Sequence, residues 1–247
     1  HNISDTLQVN VDDSTAYVVQ DGVNNQAAVA QSNSSVGMFA DVTSFGDGNE
    51  AYIDQDASGL AISIIHQAGI EQLADIEQIN SSDSSVATIT QHDGDDTEAY
   101  ISQDGSDNSF ADIIQLETDS TTASILQRDG TVNLADVTQL FTSESSANVK
   151  QQHGPLNVAS ITQDYSVAVD ASIAQSGELQ SAYITQVDSW IASADITQAG
   201  YDQFADIQQD IVADDTSAYV TQYGSVNNAW IYQTETVGTL AGIFQEG

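Results

Sequence analysis

The sequence predicts an all-β protein, a β-solenoid of about ten two-strand turns. A five-residue word, Ala-x-[Ile/Val]-x-Gln, occurs twenty times, with single-position lapses at Ser44 and Ser63. Successive words lie 11 to 13 residues apart, with a mean of about 11.8. Self-similarity at one short period is the signature of a repeat architecture, in which each unit packs only against its neighbours. Twenty strands, each in a unit of about 12 residues, therefore fill the chain.

The word itself predicts strands rather than helices. Alanine, the β-branched residue and glutamine recur at every second position, so all three side chains lie on one face of a strand. Between the words lie loops rich in turn residues, such as "DGVNN", "HDGDD" and "YGSVNN". A meander of antiparallel hairpins would favour shorter loops with tight primed turns. We therefore favour a β-solenoid, in which each strand stacks on an equivalent strand one turn away, over a meander.

Two kinds of unit alternate, and they set one full turn at two strands and about 24 residues. The first kind has Asn or Gln two residues before its alanine, after a glycine-bearing loop. The second kind often has Ser or Thr there. The alternation lapses once, near residues 104–115, where two glycine loops follow each other. Either the two sides of the solenoid exchange roles there or one unit is looped out, and we expect the exchange because the unit length stays at twelve.

Amide ladders are the expected structural feature of the interior. Two facing sheets lie about 10 Å apart, so alanine provides room and Ile or Val fills it. We expect each Gln or Asn to stack on its copy one turn away, its amide donating to the next amide carbonyl, as in a cross-β fibre. The ladder residues are Gln20, Asn25, Gln31, Asn49, Gln55, Gln78, Gln91, Gln103, Gln127, Asn133, Gln139, Gln151, Asn157, Gln163, Gln175, Gln186, Gln198, Gln209, Gln222, Asn227, Gln233 and Gln245.

Composition narrows the function classes. The chain has 37 acidic residues against only Lys150 and Arg128, a formal net charge of -35. This charge repels nucleic acid and favours solubility. There is no cysteine, so no disulfide framework exists. We expect residues 14–247 to form a single repeat array and residues 1–13 to be a separate N-terminal segment, flexible or export-related. Since the chain starts at His1, we also expect that any secretory signal has been removed.

Outward positions suggest weaker functions. Six aspartates between alanine and Ile/Val could bridge Ca²⁺ through their carboxylates, although scattered solubilising charge explains them more simply. They are Asp41, Asp75, Asp112, Asp136, Asp195 and Asp206. Aromatic residues in the same slot could form an adhesive surface, or could reflect strand propensity alone. They are Tyr17, Tyr52, Tyr100, Tyr183, Tyr219 and Trp230.

We expect no enzyme. The chain has almost no cations to hold an anionic substrate, and its histidines show no metal-ligand spacing. We therefore assign no catalytic, cofactor-binding or metal-binding residue. An ice-binding solenoid remains an alternative, as does a surface adhesin or a Ca²⁺-binding solenoid. Ice binding would require a flat Thr-x-Thr array, whereas each strand here offers one threonine. These are Thr43, Thr90, Thr138, Thr162, Thr185, Thr197 and Thr221.

The repeat resembles the curlin repeat, Ser-x5-Gln-x-Gly-x-x-Asn-x-Ala-x3-Gln. The stretch "STAYVVQDGVNNQAAVAQ" matches it at Ser14, Gln20, Gly22, Asn25, Ala27 and Gln31. The stretch around Gly154 matches at Ser145, Gln151, Asn157, Ala159 and Gln163, with one extra residue before the glycine. This chain departs from the common form in having about ten turns rather than about five, in its acidity, and in turns that lack the opening serine.

The resemblance implies a structural subunit of an extracellular functional amyloid, a curli-like fibre of biofilm matrix involved in cell adhesion. It implies a secreted protein whose partners are its own copies, joined in an open head-to-tail fibre. A nucleator subunit and an outer-membrane export pore are the further partners implied, and nucleic acid is not.

Overall fold

The structure is a computed structural model that describes residues 1–33, 37–56, 59–80, 84–210, 213–235 and 237–247. Its strands alternate between two parallel sheets, which stack face to face as a β-solenoid of about ten turns. The predicted fold class is confirmed. No helix occurs among the described residues. Within that same part of the chain, no helix is long and apolar enough to span a bilayer.

One sheet contains eleven strands, which are the odd-numbered elements of the chain. They are β1 (Ile3–Val9), β3 (Gln26–Ser32), β5 (Glu50–Asp56), β7 (Leu73–Ile79), β9 (Glu98–Asp104), β11 (Thr122–Arg128), β13 (Ser146–Gln152), β15 (Asp170–Glu178), β17 (Trp190–Tyr201), β19 (Ala213–Ser225) and β21 (Leu240–Glu246).

The other sheet contains ten strands, which are the even-numbered elements. They are β2 (Thr15–Val23), β4 (Phe39–Asp47), β6 (Ala61–Ile70), β8 (Ser85–Asp95), β10 (Phe110–Leu116), β12 (Leu134–Leu140), β14 (Val158–Asp164), β16 (Ser181–Val187), β18 (Phe204–Asp210) and β20 (Asn228–Thr234).

The strands pair in the register that the repeated word predicts. Between β10 and β12, Ala111 aligns with Ala135, and Gln115 aligns with Gln139. Each word therefore lies directly on the word one turn away, and alanine, Ile/Val and glutamine form three straight rows inside each sheet. A one-residue slip would move every such row to the solvent face, so the alternation fixes the register.

The core is thin and made of small side chains. Alanine and Ile or Val of nearly every word are 0–2% exposed, as at Ala123 and Ile125. Apart from Met38, the largest fully buried side chains are isoleucines. This is the packing expected when two sheets face each other closely and every level must repeat the same volume.

The array begins earlier than residue 14. β1 pairs with β3 in the common register, with Gln8 opposite Gln31. Residues 3–9 are therefore the first of 21 strands rather than a separate segment. Ser4 and Thr6 take the places of alanine and Ile/Val, which is why the word does not reveal this strand.

The lapse near residues 104–115 is an exchange of sides. β9 and β10 keep strict alternation between the sheets, and no unit is looped out. Up to β8, glycines with positive φ lie at the C-terminal ends of even-numbered strands, as Gly22 in β2 and Gly46 in β4. After the exchange, such glycines lie at the C-terminal ends of odd-numbered strands, as Gly177 in β15 and Gly200 in β17.

Candidate functional site: amide rows and open sheet edges

Eleven glutamines form an unbroken row along the eleven-stranded sheet. Each Nε2 donates to Oε1 of the glutamine in the next strand of that sheet, at 2.6–3.0 Å. All donors point toward the C-terminal end of the solenoid. The members are Gln8, Gln31, Gln55, Gln78, Gln103, Gln127, Gln151, Gln175, Gln198, Gln222 and Gln245. Gln8 was missed in the sequence because its word lacks alanine and Ile/Val, although it lies twelve residues before Gln20.

A second row runs along the ten-stranded sheet and is shorter. It starts where the Ser44 hydroxyl donates to Gln67 Oε1 at 3.1 Å. It continues through amide bonds of 2.8–3.1 Å. Its glutamines are Gln67, Gln91, Gln115, Gln139, Gln163, Gln186, Gln209 and Gln233.

Gln20 does not join this row, contrary to the prediction. The serine at position 44 is too short to reach back to it. In the orientation that gives both the nitrogen and the oxygen of its amide a partner, Gln20 donates to the Ile3 carbonyl and accepts from the Ala27 backbone N–H, both at 3.1 Å. It therefore fastens the first turn to the opposite sheet instead of extending a row.

Most row glutamines also tie the two sheets together, which the sequence did not indicate. The Gln127 Nε2 donates both to Gln151 at 2.9 Å and to the Phe110 carbonyl of the facing sheet at 3.1 Å. The same double contact recurs at Gln151 and Gln222. Both amide protons are thus used, and a buried donor left unpaired would cost about 1–3 kcal/mol. This explains the choice of glutamine, since asparagine is too short to reach the facing sheet.

The predicted asparagines work differently from the glutamines. Asn49 Oδ1 accepts the backbone N–H of Gln72 at 3.1 Å, rather than a side-chain amide. Its Nδ2 donates to the Phe45 carbonyl at 2.8 Å and to the Gly69 carbonyl at 3.2 Å, closing the preceding loop. The expectation of amide-to-amide ladders at these positions is corrected, because the asparagines lie at the corners where the chain enters a strand.

These corner amides form two separate columns, one on each side of the exchange. The first column contains Asn2, Asn25, Asn49 and Gln72. The Oδ1 of each asparagine accepts the backbone N–H of the next member of the column. The second contains Asn133, Asn157, Gln180, Gln203 and Asn227 at the opposite corner. Where glutamine replaces asparagine, Oε1 of Gln72 and Gln180 is buried without a partner, because the longer side chain overshoots the N–H.

Glycines stack beside these corners for a steric reason. A Cβ on Gly177 would lie 2.0 Å from the Gly200 carbonyl oxygen, and Gly177 has φ +130. A Cβ on Gly200 would lie 1.9 Å from the Gly224 carbonyl oxygen. Because the carbonyl of the next glycine lies so close, no residue with a Cβ fits at a position that has another glycine stacked on it.

The outward aspartates do not form a carboxylate ladder. Only Asp112 and Asp136 are register partners. Burial, followed by repulsion from Asp136, raises the pKa of Asp112 to about 6. Asp41, Asp75, Asp195 and Asp206 lie beside tyrosine, tryptophan, serine or isoleucine on the adjacent strands. Among the described residues, no group of three or more His, Asp or Glu side chains could hold a metal ion.

The aromatic residues of the same slot face outward but form small clusters rather than a stripe. Tyr17 contacts Phe39 with ring centroids 5.9 Å apart. Phe204 lies between Tyr183 and Trp230, at 5.9 and 5.4 Å. Tyr52 and Tyr100 lie on the strands on either side of Asp75.

The threonines divide between two faces. Thr43, Thr90, Thr138, Thr162 and Thr185 share one outward column of the ten-stranded sheet, while Thr197 and Thr221 lie on the other sheet. His66 and Ile114 interrupt that column, so it offers no regular array.

The solenoid ends in open sheet edges. β1 is exposed along its whole length, and Tyr232 and Phe244 of the last two strands are 66% and 64% exposed. At one end, β1 and β2 are the outermost strands, and at the other, β20 and β21. Edge strands present unpaired N–H and C=O groups that can pair with another chain.

A scan against protein-family models finds no match to this chain, and a search of curated proteins finds none either. The resemblance to curlin therefore stays a prediction from the repeat.

Proposed function

We propose that this protein is a structural subunit of an extracellular amyloid-like fibre of the curlin type, a component of biofilm matrix. The subunit elongates the fibre by strand addition at its open edges, head to tail. In this proposal its main partner is another copy of itself. A nucleator subunit and an export pore are further partners proposed from the resemblance, and nucleic acid is disfavoured by the net charge of -35.

The observation that carries the proposal is the polarity of the glutamine rows. Every bond in both rows is donated in the same direction, and the longer row runs from edge strand β1 to edge strand β21. A donor end therefore meets an acceptor end only when subunits join head to tail. Such a heterologous contact does not close on itself and generates a filament. Main-chain bonds between the edges supply much of the attraction, as in other strand-addition complexes.

The first experiment is electron microscopy and fibre diffraction of the purified chain in moderate salt. Salt is needed because repulsion between subunits of this charge is long-ranged at low ionic strength. We expect unbranched filaments with a meridional reflection near 4.8 Å, the strand spacing. A chain that stays monomeric for days at high concentration, without thioflavin response, would contradict the proposal.

Proline at the open edges tests the mode of growth. Thr15 N donates to the carbonyl of Met38, the residue just before β4. Its strand neighbours alternate in direction, so the N–H groups of Ala16 and Val18 point away from β4, to the open edge. By the same alternation, the N–H of Phe244 points away from β19. Val18→Pro and Phe244→Pro each remove one edge donor and leave the internal ladder bonds in place.

We expect both proline variants to keep the β-sheet circular dichroism of the monomer and to slow elongation at least tenfold. Val18→Ala and Phe244→Ala are the matched controls, because they shorten the same side chains and keep the N–H. Elongation of the proline variants at the wild-type rate would show that subunits do not meet through these strands.

A further inference from the structure

The two ends of the solenoid do not match in a simple translation along the axis. The first and last strands, β1 and β21, both belong to the eleven-stranded sheet. Each successive strand along the chain climbs by half a strand spacing and changes sheet. The place that follows β21 therefore lies on the ten-stranded sheet, next to β20.

Building on the proposed fibre, we infer that each subunit is turned by about half a turn around the fibre axis relative to its neighbour. In this junction β1 of the added copy pairs with β20, and its β2 pairs with β21. The two sheets exchange along the filament at every junction. The partner is a second copy of this chain, held by its opposite edge.

The first reason is that this arrangement leaves no strand place empty. If the neighbour kept the same orientation, β1 would pair with β21, and β2 would lie two strand spacings from β20, about 9.6 Å. Both of those edges would then remain unpaired inside the fibre. A buried edge without hydrogen-bond partners is strongly unfavourable.

The glycine column is the second reason. At the C-terminal end, Gly154, Gly177, Gly200, Gly224 and Gly247 stack at one corner. At the N-terminal end, Gly22, Gly46 and Gly69 stack at the other corner. When β2 pairs with β21, the Gly22 of the added copy lies on Gly247, and the two columns become one. With the neighbour unturned, Gly247 would face Asn10.

Gly247 supports this reason by its own surroundings. A Cβ at Gly247 would approach nothing closer than Asn227 Oδ1, at 3.6 Å, so no steric contact inside one subunit requires glycine there. At the other members of the column, glycine is required by the carbonyl stacked on it. The carbonyl of Gly22 in the added copy would supply that contact at position 247.

The corner amides give the third reason. Asn227 ends the second amide column, and Asn2 begins the first. In the turned junction, Asn2 of the added copy lies on Asn227, whose Oδ1 can accept its backbone N–H as Asn25 Oδ1 accepts that of Asn49. In the unturned junction, Asn2 would lie on Thr239 instead. Because of the exchange near residues 104–115, the amide and glycine columns at the C-terminal end of one subunit lie at the same corners as those at the N-terminal end of the turned next subunit.

The shorter glutamine row also continues through the turned junction, whereas Gln245, the last glutamine of the longer row, meets Gln20 of the added copy. By the common register, β20 and β1 align Ala229 with Ser4 and Gln233 with Gln8. Gln233 Nε2 lies at the donor end of its row and now bonds to Thr239 Oγ1 at 3.1 Å. It would donate to Gln8 Oε1 of the added copy, joining the shorter row of one subunit to the longer row of the next.

Cysteine cross-linking separates the two junctions, since the chain has no cysteine of its own. Leu7, Val19, Tyr232 and Phe244 are all more than half exposed and face outward. The turned junction places Leu7 beside Tyr232 and Val19 beside Phe244, about 4.8 Å apart at Cα, within the reach of a disulfide. The unturned junction places Leu7 beside Phe244 and brings neither of the other pairs within reach.

The experiment mixes two single-cysteine subunits in equal amounts, assembles them, oxidises them and measures covalent dimer on a non-reducing gel. We expect Leu7→Cys with Tyr232→Cys, and Val19→Cys with Phe244→Cys, to give at least tenfold more dimer than Leu7→Cys with Thr138→Cys, a mid-solenoid control. Leu7→Cys with Phe244→Cys should match that control. Strong dimer from this last mixture overturns the inference while leaving the fibre proposal intact.

Image reconstruction of wild-type filaments gives a second readout that needs no substitution. The turned junction predicts a subunit rise of about 50 Å, and the unturned one about 53 Å. A rise of about 53 Å, or filaments in which none of the pairs cross-links, contradicts the inference alone. Absence of filaments contradicts the proposed function, and the inference with it.

Discussion

The first turn and the central turns share one register but differ in almost everything that stabilises them. In β11, Ala123 and Ile125 are 0% and 1% exposed. In β1, all seven residues are exposed, and Ser4 and Thr6 take the alanine and Ile/Val places. The comparison teaches that inward positions become buried where a neighbouring strand covers both edges, and that the outermost strand, which lacks such cover, carries polar residues at those positions. The end turns are therefore where a further copy would contribute most.

The largest difference should appear at the corner glycines. Gly177→Ala would bring a Cβ to 2.0 Å from the Gly200 carbonyl at a strained φ. We expect the free energy of unfolding to fall by about 4 kcal/mol. The control is Gly238→Ala in the last loop, where nothing lies within 4 Å of the added Cβ. It should lose about 1 kcal/mol, from its φ of +58 alone. Urea denaturation of the monomer measures both, and equal losses would contradict the steric explanation.

Core truncation should give the next largest effect. Ile125→Ala removes a fully buried side chain from a core that cannot collapse, so we expect a loss of about 3 kcal/mol. Val18→Ala in the outer strand β2 should lose less than about 1 kcal/mol, because Val18 is only partly buried. Similar losses at both positions, measured as urea midpoints, would show that the end turn is packed as firmly as the middle.

The glutamine row should show the same contrast on a smaller scale. Gln127→Leu leaves the Gln103 donor and the Gln151 acceptor unpaired in the interior, and we expect a loss of about 2 kcal/mol. Gln8→Leu removes two bonds at the open end, one to Gln31 Oε1 and a long one to the Ser14 carbonyl, both near solvent, and should change monomer stability by less than about 1 kcal/mol. Thermal unfolding of the two variants checks this, and a larger loss at Gln8 would reverse the comparison.

The smallest effect concerns pH. Burial, then Asp136, raises the pKa of Asp112 to about 6, above the usual value of a carboxyl group. The folded protein therefore binds this proton more tightly than the unfolded chain, and its contribution to stability is present at low pH and lost as pH rises through about 6. Asp112→Asn should be more stable than wild type at pH 7.5, and this advantage should disappear by pH 4. A constant difference at both pH values would contradict the assignment.

Much of this fold follows from the sequence, because each inward side chain repeats at a period that only stacked strands satisfy. The rows through Gln31 and Gln151, and the sheet assignment of every word, were predictable in this way. β1 was not predictable, because Ser4 and Thr6 do not match the repeated word, and only the pairing of β1 with β3 shows that they occupy its alanine and Ile/Val positions. The role of Asn49 as an acceptor for backbone N–H depends on the loop path, and periodicity carries no information about loops.

The structural effect of the serines that interrupt the repeated word could not be predicted from the sequence either. The sequence identified Ser44 and Ser63 as isolated lapses, but the structure places them on adjacent strands, β4 and β6. The Ser63 hydroxyl donates to Gln78 Oε1 at 2.7 Å and accepts from Gln55 Nε2 at 3.0 Å. A lapse in one sheet thus bonds with the glutamine row of the other, a relation that only the facing geometry of the sheets reveals.

The shared direction of the amide bonds gives the solenoid an electrical asymmetry. Each glutamine side chain carries a dipole, and in both rows these dipoles point the same way, so they add instead of cancelling, and each bonded amide polarises the next. The carbonyl end lies at β1 and the N–H end at β21. A filament built from such subunits is a polar rod whose two tips carry partial charges of opposite sign, and its two tips should elongate at different rates.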